Sequence, residues 1–199
     1  MNTGPSPLQL KVFTGQSVAP YLDDLARLRI AVFREYPYLY IGSLDYERSY
    51  LKEYATHPHS ILVVVTATEA DTKRVIGIST GMPLAHEAPE LQAPFHQQGV
   101  DITRIFYFGE SVLEPAYRGQ GIGKRFFEAR QAHVDHLGGY DTTCFCAVIR
   151  PETHPRRPAD YRPLDPFWRS LGYTPHPDRV AQLAWRDLDE PEETPKPMQ

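Results

Sequence analysis

The residues best suited to chemistry stand in one run, Arg118-Gly119-Gln120-Gly121-Ile122-Gly123-Lys124. Three glycines in five residues, where a helical pattern begins, leave backbone N–H groups free of Cβ obstruction. The first turn of a helix has N–H groups without intrahelical partners and the positive end of the helix dipole, so such a loop suits phosphate. Spacing excludes two common phosphate binders. A Walker loop needs glycine where Arg118 stands and a hydroxyl where Arg125 stands, and a dinucleotide fingerprint needs glycine at Lys124.

Upstream, Ile102 to Leu113 is an apolar, aromatic and β-branched run that reads as a buried strand, closed by a turn at Glu114-Pro115. Glu110 interrupts it. A carboxylate kept from water there is a candidate proton acceptor, and equally a candidate partner for a nearby arginine.

Arg118-Gly119-Gln120-Gly121-Ile122-Gly123 matches the pattern [Arg/Gln]-x-x-Gly-x-[Gly/Ala] in full, and Val112-Leu113-Glu114-Pro115-x-Tyr117 leads into it. With that lead-in the stretch resembles the acetyl-CoA-binding motif of the GNAT N-acetyltransferases. Phe167-Trp168-Arg169-Ser170-Leu171-Gly172-Tyr173 resembles the family's late aromatic-x-x-x-Gly-[Phe/Tyr] segment. The resemblance covers roughly Leu8 to Leu188.

The resemblance implies acetyl-CoA as co-substrate, with no metal. The backbone N–H groups of Arg118, Gly119, Gln120, Gly121, Ile122, Gly123 and Lys124 would hold the pyrophosphate, with charge from Arg118 and Lys124. The strand before the loop would splay from its neighbour, and Val112 and Leu113 would pair with the pantetheine arm. One of their N–H groups would polarise the thioester carbonyl. The reaction would be direct attack by an acceptor amine, on a small molecule or a peptide, with Glu110 as general base. Many members place a proton-donating Tyr where this chain has Trp168, which cannot serve. Tyr161, Tyr173 or Cys146 could replace it, or the thiolate leaves unaided, since a thiol near pKa ~8.5 is a tolerable leaving group. Two alternatives stay open: a longer acyl-CoA, and a CoA-binding sensor or partner module without turnover. A homodimer, common among GNAT-like domains, is an expectation left open.

Tyr36, Tyr38 and Tyr40 could wall the acceptor's entry with Tyr161, or simply pack. From Arg150 to Pro163, Arg150, Arg156, Arg157 and Arg162 outnumber Glu152 and Asp160, which hints at an anionic acceptor.

These residues need a scaffold, and the chain supplies one. Its 199 residues fit one domain, and 19 prolines point to ordered loops. The net charge of −4 argues against nucleic acid. No apolar run approaches the roughly 18 residues of a membrane span. The N-terminus lacks the basic start and apolar core of a secretory signal. Cys144 and Cys146, the only cysteines, read as a reduced, cytoplasmic pair. Neither they nor His133 and His136 have the companions a metal site needs.

Hydrophobic periodicity orders the elements βααβββαβαβ, with the first helix following Ser17 and the fifth strand running from Thr142 to Ile149, in agreement with the GNAT order. The resemblance implies an α/β (α+β) chain with a mixed, mostly antiparallel central sheet flanked by helices, one domain over residues 8–188. Residues 83–99 form a long connection, with room for a short helix around Glu90 to His96. Residues 1–7 and 189–199 read as flexible ends, the latter rich in acid and proline.

Overall fold

Ile61-Leu62-Val63-Val64-Val65 is the most β-branched run in the chain, and all five side chains are buried. A strand whose two faces are both apolar must be covered on both sides. Leu62 and Val64 face one core with Leu25, Leu28 and Leu51, whereas Ile61, Val63 and Val65 face a second with Phe106, Phe108 and Phe126.

The computed structural model describes residues 8–69 and 71–199, so the expected loose start at 1–7 lies outside the described residues. Five strands form the main sheet in the order β1 (Leu8–Thr14), β2 (Ile61–Glu69), β3 (Thr72–Pro83), β4 (Ile105–Leu113) and β5 (Thr142–Cys144). The first four pair antiparallel, and β5 runs parallel to β4. Helices α1 (Leu22–Phe33) and α2 (Leu44–Thr56) supply the first core; α4 (Ile122–Leu137), with α5 (Asp165–Ser170), supplies the second. Ser43 caps α2 by accepting from the Tyr46 N–H at 3.3 Å. The sheet is mixed and mostly antiparallel, with helices on its faces, as the hydrophobic pattern and the resemblance predict.

Three local expectations change and one holds. The helix expected after Ser17 begins as a 3-10 turn over Gly15–Tyr21 that contains Pro20, and α1 proper starts at Leu22. The long connection does hold a helix, α3 (Pro89–Gln97), with proline at its start. The fifth strand, expected to reach Ile149, leaves β4 after Cys144. Its continuation turns to another partner: Ala147 and Gln199 exchange both backbone hydrogen bonds, and the Ile149 N–H reaches the Pro197 carbonyl.

That partner is the third change. In place of a flexible end from 189, residues Thr194–Met198 form β7, antiparallel to β6 (Ala181–Trp185). The prolines hid it, because a proline-bearing run reads as non-strand. Lys196 is buried and meets the Glu190 carboxylate at 2.6 Å and the Thr194 hydroxyl, with Asp187 at 3.6 Å. Asp187 in turn accepts from Arg150 at 2.7 Å and from the Trp185 indole N–H at 2.8 Å. Glu190 of the acid-rich end and Asp187 just before it are thus partners of the buried Lys196 and the largely buried Arg150.

Candidate functional site

The loop after β4 has the conformation its glycines permit. Gly119 and Gly121 both hold φ +77, and Gly121 is the residue before the first turn of α4. A Cβ at either would meet nothing within 4 Å, so the strain of a substitution there is conformational, and the concave side of the loop is open. The N–H groups of residues 119 to 124 have no hydrogen-bond acceptor among the described residues. Ile122, 1 % exposed, pins the helix start into the core beneath Phe126. An open cradle of unpaired N–H groups fits the pyrophosphate of a CoA ligand. The two cations beside it are engaged at the surface. Arg118 donates to Glu35 at 2.8 Å and to the Leu113 carbonyl at 3.2 Å, and Lys124 lies 3.6 Å from Glu128. Exposed pairs of this kind are weak enough to exchange for phosphate.

The edge of β4 leads away from that loop. Its ladder with β5 covers only Ile105, Phe106 and Tyr107, opposite Thr142, Thr143 and Cys144. From Phe108 to Leu113 the strand is paired on its β3 side alone among the described residues. The two strands therefore part as a fork. Val112 is anchored in the α1–α2 core and Leu113 against the α4 core, which holds their backbone still while its outer edge stays free.

A bulge aims Glu110. The β3–β4 register shifts where Ser79 pairs with Ser111 but Gly81 pairs with Phe108. The extra residue on β4 lets Gly109 and Glu110 in succession face the α1–α2 side. A Cβ on Gly109 would strike the Thr80 hydroxyl at 2.5 Å and the Tyr54 hydroxyl at 2.8 Å. The side chain of Glu110, 3 % exposed, meets Arg29 of α1. Arg29 also donates to Glu47 of α2 at 2.6 Å. Burial alone would lower the Arg29 pKa, but Glu110 and Glu47 more than offset it and hold it well above its ordinary value. Each glutamate keeps one oxygen, Oε1, without a partner. That is an uncommon state for a buried carboxylate.

A cavity of about 360 Å³ opens at this point. Arg29, Glu110 and Gly109 form one side; Tyr107 and Cys146, from the two arms of the fork, form another. The Tyr107 hydroxyl and the Cys146 sulfur are 2.9 Å apart. Burial pushes the Cys146 thiol up to about 12, against the pull of that hydrogen bond. Behind Gly109, the Tyr54 hydroxyl donates to Glu87 at 2.6 Å, and burial raises the Glu87 carboxyl to about 7.

The expected acceptor residues divide. Tyr38 and Tyr40 line the cavity because residues 39–41 pair with the chain just after β6: Ile41 donates to Arg186 O, and Leu188 to Leu39 O, both at 2.9 Å. Tyr36 and Tyr161 do not line it. They stack edge to face on each other, 4.7 Å between centroids, beside His154. The basic loop does not serve it either, which removes the hint of an anionic acceptor. Arg150 is held by Asp187 and by the Pro37 and Tyr38 carbonyls, Arg156 pairs with Asp189, and Arg157 lies over Tyr161. Trp168 packs on Phe145 at 5.1 Å, and the Tyr173 hydroxyl pairs with Thr143 at 2.9 Å. Cys146 is the one suggested thiolate-protonating group at the cavity.

Arg29, Glu47, Glu87 and Tyr107 are the residues sequence reasoning missed. A signal existed for two of them. Arg29 falls on the apolar stripe of α1, and Glu47 stands three and four residues before Tyr50 and Leu51 on that of α2. No cluster of three or more His, Cys, Asp or Glu among the described residues could hold a metal ion. No helix among them is long and apolar enough to cross a membrane.

No protein-family model matches the chain, and no curated protein matches its sequence. Solved structures do match. Arabidopsis thaliana NAA60 in complex with a bisubstrate analogue superposes at TM-score 0.56 over 96% of this chain and 98% of its own, at 10% identity. A GCN5-related N-acetyltransferase from Ralstonia eutropha JMP134 gives 0.55 over 86% and 95%, at 16% identity. AAC(6')-Iy in complex with the bisubstrate analogue CoA-S-monomethyl-acetylneamine gives 0.53 over 85% and 92%, at 15% identity. With its parted β4 and β5 and its glycine loop at the start of α4, the chain has the fold of the GCN5-related (GNAT) N-acetyltransferases.

Proposed function

We infer that the chain is an acetyl-CoA-dependent N-acetyltransferase. The observation that carries this reading is the continuity of three features along β4. An open N–H cradle stands at one end, an unpaired strand edge follows, and the fork opens into a cavity with a buried carboxylate. Likeness in fold to acetyltransferases solved with bisubstrate analogues adds weight.

Acetyl-CoA would supply the acetyl thioester: a C–N bond to the acceptor forms as the C–S bond breaks, and the proton lost by nitrogen balances the one gained by sulfur. The N–H groups from Gly119 to Lys124 hold the phosphates, with Arg118 and Lys124 adding charge. The free edge at Val112 and Leu113 holds the arm. Glu110 accepts the acceptor's proton through its unpartnered Oε1, directly or across one water. Arg29 keeps Glu110 oriented until then. The free thiols Cys144 and Cys146 support a reducing, cytoplasmic setting.

The test is thermal. Acetyl-CoA at millimolar concentration raises the melting temperature, and Gly121→Glu, which strains φ +77 and fills the cradle with a charge repelling phosphate, removes the rise. No rise in the unsubstituted protein would sink the reading. A CoA-binding module without turnover is the second reading, favoured by Trp168 at the usual acid's place; thiol release unchanged in Glu110→Gln would support it.

A further inference from the structure

The cavity at the fork has walls of a particular chemistry. Rings dominate: Phe33, Tyr38, Tyr40, Tyr50, Tyr107 and Trp185 all face it, with Leu91, Leu183 and Met198 between them. The charged groups around it come from four elements and a loop: Arg29 on α1, Glu47 on α2, Glu87 before α3, Glu90 on α3 and Glu110 on β4. Arg29 is met by both Glu47 and Glu110, so the surroundings carry a surplus of carboxylate. No second cation lines the space to meet an anionic group.

Two details narrow the ligand. The Glu110 side chain is buried, borders the cavity, and has an oxygen with no partner. An ammonium donating to that oxygen would satisfy it. The rings beside it already face a cation: the Arg29 guanidinium lies 4.8 Å from the Tyr50 centroid and 5.2 Å from that of Phe33. Ring faces stabilise a second positive charge in the same way. The remaining polar groups are the Tyr38, Tyr40, Tyr46 and Tyr50 hydroxyls, each at the end of a ring, and the Glu90 carboxylate. The Tyr107 hydroxyl is taken by Cys146, and a polyhydroxylated body would place most of its hydroxyls on ring faces that return no hydrogen bond.

We propose that the acceptor is an apolar monoamine, a single primary ammonium on an aryl or alkyl body, docked with its nitrogen on Glu110 Oε1 and its body among the Tyr50, Tyr107 and Trp185 rings. This rests on the transferase reading for turnover, whereas the binding chemistry stands on the cavity alone. Anionic amines are repelled by the carboxylates, and a polycationic sugar finds only Glu110 and Glu90 for its several ammonium groups and ring faces for most of its hydroxyls.

The experiment measures binding and turnover separately on the purified protein. Titration calorimetry with 2-phenylethylamine, 2-phenylethanol and glutamic acid reads the cavity; acetylation of 2-phenylethylamine and kanamycin, followed by mass spectrometry, reads the reaction. The amine should bind at least about tenfold more tightly than the alcohol or glutamic acid, and its kcat/KM should exceed that of kanamycin by about 100-fold. Glu110→Gln weakens the amine about tenfold. Ala184→Trp, at an exposed strand position on the cavity rim, does so by filling space while acetyl-CoA still raises the melting temperature. Equal binding of the alcohol, equal or better use of kanamycin, or no amine binding in a protein that acetyl-CoA stabilises would each overturn the proposal. Amine binding without acetyl-CoA stabilisation would instead sink the transferase reading and leave the cavity's chemistry standing.

Discussion

The Tyr107 hydroxyl and the Cys146 thiol, on the two arms of the fork, lie 2.9 Å apart where β4 and β5 separate. Their position matters because the chain carries Trp168 where the resemblance calls for a proton-donating tyrosine. On the transferase reading this pair, at the opening of the fork, is the proposed proton source for the departing sulfur. Tyr107→Phe should lower kcat about tenfold while the KM for acetyl-CoA holds, since general-acid help is worth at least that much. An unchanged kcat would mean that the thiolate leaves unaided. Stability should fall by about 1 kcal/mol or less, because a thiol is a weak partner.

Arg29 is the only cation in contact with either Glu47 or Glu110 among the described residues. Arg29→Ala leaves two carboxylates buried without a counter-charge, which should cost about 3–5 kcal/mol at neutral pH. Chemical denaturation of Arg29→Ala and Arg29→Met, which restores the apolar stem without the charge, reads this directly. A deficit recovered in Arg29→Met would show that packing on Tyr50 and Phe33, and not charge, is what Arg29 supplies.

Glu87 gives a pH signature of its own. Its carboxyl is raised from 4.5 to about 7 by burial, opposed by the Tyr54 hydrogen bond. A raised folded pKa stabilises the protonated form. Its contribution is therefore full below pH 4.5 and is lost as pH rises through 7. Glu87→Gln keeps an acceptor for Tyr54 and removes the titration. The variant should be the more stable protein at pH 8, by roughly 3 kcal/mol, with the difference closing toward pH 4.5. Parallel stability curves would refute the assignment.

Lys196 tests the C-terminal strand. Lys196→Met removes the charge that holds Glu190 and approaches Asp187, while Asp187 keeps Arg150 and Trp185. Because Glu190 can turn to water, the cost should be about 2 kcal/mol, short of that for a fully buried pair. In a chain of this size that lowers the melting temperature by about 4–8 °C. No change in melting temperature would show that the strand is held by its ladder and Met198 alone.

The sequence reveals what depends on near neighbours. The φ +77 glycines, the strand before them and the helix after them are set by residues within one run, so that region was legible. Glu110 was legible as an oddity on an apolar strand, but its aim was not. The bulge at Gly109 depends on register with β3, and its partner Arg29 is 81 residues away. The tail was misread because proline and acid content argue against a strand when Asp187 and Glu190 are considered without Arg150 and Lys196. Tyr36 and Tyr38 are two residues apart and looked equivalent. Only Tyr38 reaches the cavity, since pairing of residues 39–41 with residues 186–188 decides which rings turn inward.

The backbone exchange between Ala147 and Gln199 has a practical consequence for handling the protein. In that antiparallel register, any residue fused after Gln199 would fall opposite Cys146, a wall of the cavity. A carboxy-terminal affinity tag would therefore extend the ladder toward that cavity and mimic an inhibitor. The other end of the described chain, Leu8 of β1, lies on the sheet's opposite edge from β5.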